Sequence, residues 1–513
     1  VIGLRRGHRG DRAVVIGAGP NGLSAAIALA RAGWPVTVLE EADAPGGAVR
    51  TQELTLPGFL NDTFSSVYPA AAASPVFAAM PLERHGLRWV HPDACYAHPL
   101  DGGRAVALYR DLDRTVASLD AGHAGDGERW AQFVAPFLDD FEDVRATMLS
   151  GFPPVGGALR MLRGMGPLNT AGFARLLPGS ARGLGRRVFE GPSSRAWLYG
   201  SAGHSDSPPT EAGSAIAVAY LNLLGHAVGW PSPEGGAGRL TDALVGHLRE
   251  LGGEIRTGAL VEGIDAASGR VTGVRVAGGE RVPADVVVGD VMPHALVALA
   301  GDALPGAYRS LMRRYRYGLS TVKVDWALDG PIPWTAEAVR GAGTVHVAGD
   351  DDETIATIER TRHGLPQHPY LLLGQQSVAD PSRAPAGQHT AWAYTHGPQE
   401  GIDWSAELER HVARMEAQVE RYAPGFRDRI LARHVMSPTD LQARNRNLVG
   451  GDVGGGTYRM PQVVLRPIPA ASPYRTPLTG LYLGSAAAFP GGAVHGVPGD
   501  AAARAALADF QLR

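Results

Sequence analysis

A single cysteine, Cys95, stands in 513 residues, which excludes an intrachain disulfide and a redox dithiol and leaves any electron chemistry to a bound cofactor. No segment reaches about eighteen uninterrupted apolar residues, so no spanning helix is expected, although an amphipathic helix lying on a membrane needs no such run. An excess of one charge is also missing. The 48 basic and 51 acidic side chains give a formal net charge of -3, which offers no electrostatic footing for nucleic acid. The 17 histidines show neither HExxH nor paired-cysteine spacing, so no metal is expected. The first apolar strand arrives within thirteen residues, leaving no room for a secretory signal before it. The expected location is cytoplasmic, with peripheral contact at the inner face of the membrane left open.

What the chain does hold begins with Gly17-Ala18-Gly19-Pro20-Asn21-Gly22, set between the apolar run Ala13–Ile16 and the small-residue pattern SAAIALARAG. Strand, glycine turn and helix in that order make a dinucleotide site. The first glycine allows the turn, the second admits a pyrophosphate, the third lets helix meet strand, and the N–H groups at the helix start face the anion. A second apolar run, Val36–Leu39, ends in Glu40, twenty-three residues after Gly17. Its carboxylate suits two ribose hydroxyls and would repel a 2'-phosphate, which favours FAD or NAD over NADP.

The length calls for more than one core. Residues 111–220 read as largely helical, with apolar residues three and four apart, and should cover a substrate cavity. Helix, turn and strand return from Gly238 to Asp265, followed by a hairpin and a buried strand at 285–289. Residues 300–435 add strands, STVKVDWAL and HPYLLLGQQS among them, and the amphipathic helix SAELERHVARMEAQVERYAP. The chain closes with an apolar strand at Leu481–Gly484, the stretch FPGGAVHGVPGD and an alanine-rich helix. Nucleotide-type elements at both ends imply one cofactor domain, discontinuous in sequence. The expected division is 1–110, 231–300 and 436–513 for the cofactor domain, with 111–230 (mainly helical) and 301–435 (strands and helices) as an inserted mixed α+β substrate domain.

The chain resembles the flavin-containing phytoene desaturase-related oxidoreductases, a branch of the amine oxidase-like and glutathione reductase-like FAD superfamily. The resemblance rests on GAGPNG with Glu40, Pro45-Gly46-Gly47, Pro57-Gly58-Phe59 with Asp62, WPSPEGGAGRL from Trp230 to Leu240, Ser437-Pro438-Thr439-Asp440, and YRTPLTGLYLGS followed by PGGAVHGVPGD. It implies an α/β fold with a Rossmann-like FAD-binding domain of glutathione reductase type, and FAD rather than free NAD. It places Gly17, Gly19, Pro20 and Gly22 at the pyrophosphate, Glu40 on the adenosine ribose, Gly46 and Gly47 by the flavin linker, and the Val261 backbone at the adenine. It also implies Gly484 and Ser485 facing phosphate or ribitol, and Gly492, Ala493 and Val494 beside the isoalloxazine. Two positions depart from many relatives: Ala48 replaces an arginine, whose phosphate contact would pass to Arg50 or water, and Asp500 replaces an asparagine.

Such a protein is expected to dehydrogenate or desaturate a hydrophobic carotenoid-like or isoprenoid substrate by hydride transfer to flavin N5. An amine or other small-molecule oxidase and a non-catalytic flavin-containing binding or scaffold protein stand as alternatives. Whether oxygen, a quinone or another carrier reoxidises the flavin is left open, as is a homodimer. Candidate proton-handling residues are His204, His226 and His495, since imidazole titrates near neutrality. Each has a plainer role as a turn or core histidine. RRYRYG at 313–318 reads first as a solvated face, and otherwise as a site for an anionic substrate or membrane phosphates. Trp326, Trp334, Trp392 and Trp404 serve equally as core or cavity wall, and Cys95 as an ordinary thiol.

Overall fold

A computed structural model describes residues 11–511; the first ten residues of the 1–110 segment, and with them the expectation about a leader, lie outside the described residues, as do 512–513. Four-residue apolar runs build the first layer. Ala13–Ile16, Val36–Leu39 and Val286–Gly289 are buried almost throughout, as strands covered on both faces must be. They pair in parallel, Ala13 opposite both Val36 and Val286. Glu254–Arg256 and Leu481–Leu483 complete a five-stranded parallel sheet, in the order Leu481–Leu483, Val286–Gly289, Ala13–Ile16, Val36–Leu39, Glu254–Arg256. The sheet thus draws on three distant stretches of sequence. Pro20 starts the helix Pro20–Arg31, where a missing N–H costs nothing. Leu23, Ala25, Ala26 and Ile27 of that helix are fully buried, and it packs against the helices Gly238–Glu250 and Val497–Gln511. A three-stranded antiparallel sheet, Val261–Ala267, Arg270–Val276 and Arg281–Pro283, packs against the parallel one.

The second layer is a seven-stranded mixed sheet in the order Ile430–Met436, Ser320–Leu328, His389–Gly397, Leu371–Gly374, Ala342–Val347, Ala94–Leu100, Arg104–Leu108. The last two strands fall in the 1–110 segment expected to serve the cofactor domain, yet Ala94–Leu100 pairs in parallel with Ala342–Val347. Its neighbour is set by a partner some 250 positions away, which local pattern cannot specify. The helix Trp404–Tyr422 covers this sheet through Val412, Met415 and Val419; Trp326 and Trp334 lie in the same core, and Trp404 packs at its edge. Between Leu112 and Ala227 the chain is helical, as expected, and roofs the space between the two sheets. Among the described residues, no helix is long and apolar enough to cross a membrane.

Candidate active site

The glycine turn is set by steric limits. Gly17 has φ +98°, a conformation open to glycine, and a Cβ on Gly22 would lie 2.1 Å from the Gly17 carbonyl oxygen. Gly19 caps the helix Pro20–Arg31 with no side-chain hydrogen bond, and the Asn21 N–H of the first turn is left for an anion. Glu40 is held at this turn: Oε2 accepts the Ala18 N–H at 2.7 Å and Oε1 the Ala42 N–H at 3.0 Å. A Cβ on Gly47 would sit 3.1 Å from Gly19 Cα, which brings the second glycine pair against the first. Gly46 secures it by donating its N–H to the Ala18 carbonyl at 2.9 Å. Gly17, Gly19, Pro20, Glu40, Gly47, Arg50 and Val261 line the cavity that opens here, whereas Gly22 and Gly46 shape its wall from behind. Arg50 also pairs with Asp43 at 2.9 Å.

One acid at this turn escaped sequence reasoning. Asp290 follows the strand Val286–Gly289, and its Oδ2 accepts the Gly22 N–H at 2.9 Å. Burial, with Glu40 nearby, pushes its carboxyl up to about 7.

At the far end, Ser485, Gly492, Ala493, Val494 and His495 line the same cavity. Ala493 has φ +77°, so its loop is held by its surroundings against local preference. Gly484, expected to face phosphate or ribitol, instead packs strand against helix: a Cβ there would lie 2.9 Å from Val288 Cγ1 and 3.2 Å from the Ala502 methyl. Asp500 turns its carboxylate to Arg504 at 2.5 Å and does not line the cavity, which removes the difficulty of an acid facing phosphate.

The cavity is continuous, about 1050 Å³, and runs from the glycine turn to the helical roof. Its distal wall includes Met161, Phe173, Tyr220, Trp230, Trp392 and Tyr394. Of the three candidate histidines only His204 remains a plausible participant by position. It lines the cavity, with Nε2 2.9 Å from His346 Nε2, and burial holds it down at about 3. His226 does not line the cavity; its Nε2 accepts the Trp130 indole N–H at 3.1 Å inside the helical roof. His495 lines the cavity with both ring nitrogens committed. Nδ1 accepts the Val497 N–H at 3.2 Å, so Nε2 carries the proton and donates to the Gly492 carbonyl at 3.1 Å. A neutral ring so locked holds the loop in place. H226Q is therefore expected to leave anaerobic flavin reduction far short of the roughly 10²-fold loss that removing a general acid–base group brings. Stopped-flow reduction of the variant checks this.

A second residue that sequence reasoning missed is Lys323. It lies in the strand Ser320–Leu328, which is buried along its whole length, and it reaches the cavity. Asp325, two residues on and so on the same face, chelates Nζ with both oxygens at 2.5 Å. Burial pushes the Asp325 carboxyl up to about 6 despite this cation. A signal was present: of 48 cationic side chains, Lys323 is the only lysine. Arginine serves everywhere else, yet a guanidinium cannot release a proton and an ammonium can.

The remaining candidates settle simply. Tyr315 is buried and donates to the Gly455 carbonyl at 2.6 Å, the Tyr317 hydroxyl meets His294 Nδ1 at 2.7 Å, and Arg313, Arg314 and Arg316 are exposed. Of the four tryptophans noted, only Trp392 lines the cavity. Burial pushes the Cys95 thiol up to about 12, which makes it inert. His85, His247 and Glu250 converge elsewhere, but the Arg31 guanidinium 3.1 Å from His247 Nε2 makes that group an ion-paired cluster.

A parallel sheet with a glycine turn, an acid on the second strand and one cavity joining that turn to the distant Gly492–His495 loop fits FAD, and defines an FAD-dependent oxidoreductase. The chain belongs to the family described as flavin containing amine oxidoreductase, which matches residues 21–506. It is similar to pyridine nucleotide-disulfide oxidoreductase domain-containing protein 2 of Rattus norvegicus, 29% identical over 97% of this chain and 94% of the relative. It is also similar to all-trans-zeta-carotene desaturase of Myxococcus xanthus, 27% identical over 81% of this chain and 78% of that protein. An oxidoreductase from Methanosarcina mazei shares the fold, with TM-score 0.64 at 18% identity, covering 96% of this chain and 98% of that one.

Proposed function

We propose that this enzyme dehydrogenates a hydrophobic, isoprenoid- or carotenoid-like substrate, with FAD, when bound, supplying the acceptor for a hydride at N5. The observation that carries this reading is the distribution of charge in the cavity. Its acids, Glu40, Glu41 and Asp290, all sit at the glycine turn, and Glu41 is already paired with Arg446 at 3.2 Å. The distal wall therefore offers no carboxylate to hold a cationic amine, while Met161, Phe173, Leu177, Ile216 and Leu224 suit an apolar chain. The similarity to a carotene desaturase supports the same substrate class.

The chain's own groups then divide the work. The apolar walls position the substrate and exclude water. Lys323 relays the proton lost from the carbon next to the hydride donor: its ammonium passes a proton to the Asp325 carboxylate behind it, and Nζ takes the substrate proton in its place, so that the pair as a whole gains one proton, held on Asp325. Gly17, Gly19, Pro20, Glu40, Gly47 and Arg50 hold the cofactor's adenosine and phosphate end, and Ser485, Gly492, Ala493 and Val494 its ring end. The origin of the parallel strands in residues 13–39, 254–289 and 481–483 supports a discontinuous cofactor module. Anaerobic mixing of the yellow holoprotein with detergent-dispersed isoprenoids is expected to bleach the flavin band. Bleaching by small amines alone would assign the enzyme to amine oxidation.

A further inference from the structure

The helical roof has an outer face that neither the fold nor the chemistry explains. Ten large apolar side chains are notably exposed among the described residues, and five of them, Val155, Leu159, Leu162, Leu168 and Leu177, crowd into 23 consecutive positions. Leu168 is 86% exposed. They occupy the helices Val155–Gly164 and Gly166–Ala174 and the turn that follows, where Leu177 also borders the cavity. Met161 and Phe173, on the inward side of the same two helices, are buried and line the cavity. One thin wall therefore separates the apolar exterior from the apolar interior.

The charge of this stretch has one sign. Residues 144–189 contain seven arginines and no aspartate, glutamate or lysine. Arg145 pairs with Glu142, and Arg160 lies 3.6 Å from Asp143. Arg163, Arg175, Arg186 and Arg187 are exposed, with no ion pair to a carboxylate among the described residues. Leucines that gain nothing in water, interleaved with unpaired arginines, match a surface with an apolar interior and anionic headgroups. Arginine stems extend along such a boundary with the guanidinium at phosphate level.

We propose that this face docks on an anionic phospholipid bilayer. Val155, Leu159, Leu162 and Leu168 enter the acyl boundary, and the arginines engage the phosphates. Resting on the apolar-substrate reading, the docking also serves the reaction: a substrate dissolved in the bilayer meets the cavity through the Met161–Phe173 wall, without crossing water.

The test uses the FAD-loaded protein and no substrate, so its outcome is independent of the desaturation reading. The holoprotein is expected to sediment with vesicles of phosphatidylcholine and phosphatidylglycerol about tenfold more than with phosphatidylcholine alone. L159E/L168E should lose about tenfold of that binding, and R163E/R175E should lose a similar share on the anionic vesicles only. The exposure of these side chains keeps both variants folded, which an unchanged flavin spectrum verifies. Failure of the parent protein to sediment with either vesicle overturns the proposal, as does undiminished binding by L159E/L168E. A soluble dimer that L168E splits, without vesicle binding by the parent, assigns the face to a second copy of the chain and overturns it equally.

Discussion

K323M is expected to retain FAD and to slow anaerobic flavin reduction by roughly 10²- to 10⁴-fold, the range in which a positioned acid–base group contributes. The effect should be large because the chain offers little substitute at that wall. His495 has both nitrogens engaged, His226 lies outside the cavity, and His204 is hydrogen-bonded to His346. K323R separates proton handling from charge. Arginine keeps the cation opposite Asp325 but does not deprotonate, so it should fall with methionine. If K323R reduces the flavin at the parental rate, Lys323 acts through its charge alone. Removing the partner in D325N leaves an unpaired buried cation, and should move the pH profile of reduction as well as its rate. Unchanged flavin absorbance in all three variants keeps the comparison clear of cofactor loss.

The difference between what could and could not be read from sequence follows the range of the forces involved. Gly17 to Gly22 and Glu40 are legible because a turn, a helix start and a strand end are local, and each requires its residue type within a few positions. Gly484 and Gly492 look alike in sequence. Only the approach of Ala502 in one case and the cavity in the other separates a packing glycine from a lining one. The histidines mislead for a related reason. A ring in a glycine motif is close to a ligand site by default, but where its two nitrogens point depends on neighbours such as Val497 and Trp130. Lys323 sits in a strand whose alternation reads as ordinary, and its importance depends on which face the sheet turns to the cavity. Its uniqueness among the cations was the one compositional trace. The sheet neighbour of the strand Ala94–Leu100 is not legible locally, because it lies at 342–347.

D290N is expected to be more stable than the parent above neutrality, and its advantage should grow with pH. Asp290 is buried against the glycine turn, with Glu40 raising the cost of a second negative charge. Its carboxyl titrates at about 7 in the fold against 3.8 in the unfolded chain, so between these values the native state holds a proton that the unfolded state has released. Stability from this group is full below pH 3.8 and declines by about 1.4 kcal/mol per pH unit until the native group ionises near 7, a loss of about 4 kcal/mol in all. Asparagine still accepts the Gly22 N–H through its amide oxygen and carries no charge, so the gap between D290N and parent should widen by about 3 kcal/mol from pH 5 to pH 8. Urea unfolding of the two proteins at both pH values measures that gap. Ionised Asp290 would also face the diphosphate that the same turn holds, so FAD retention by the parent should weaken as pH passes 7, while that of D290N stays level. A gap that is constant with pH would mean that Asp290 is already ionised in the fold, its charge met by the Gly22 N–H and the start of the helix Pro20–Arg31.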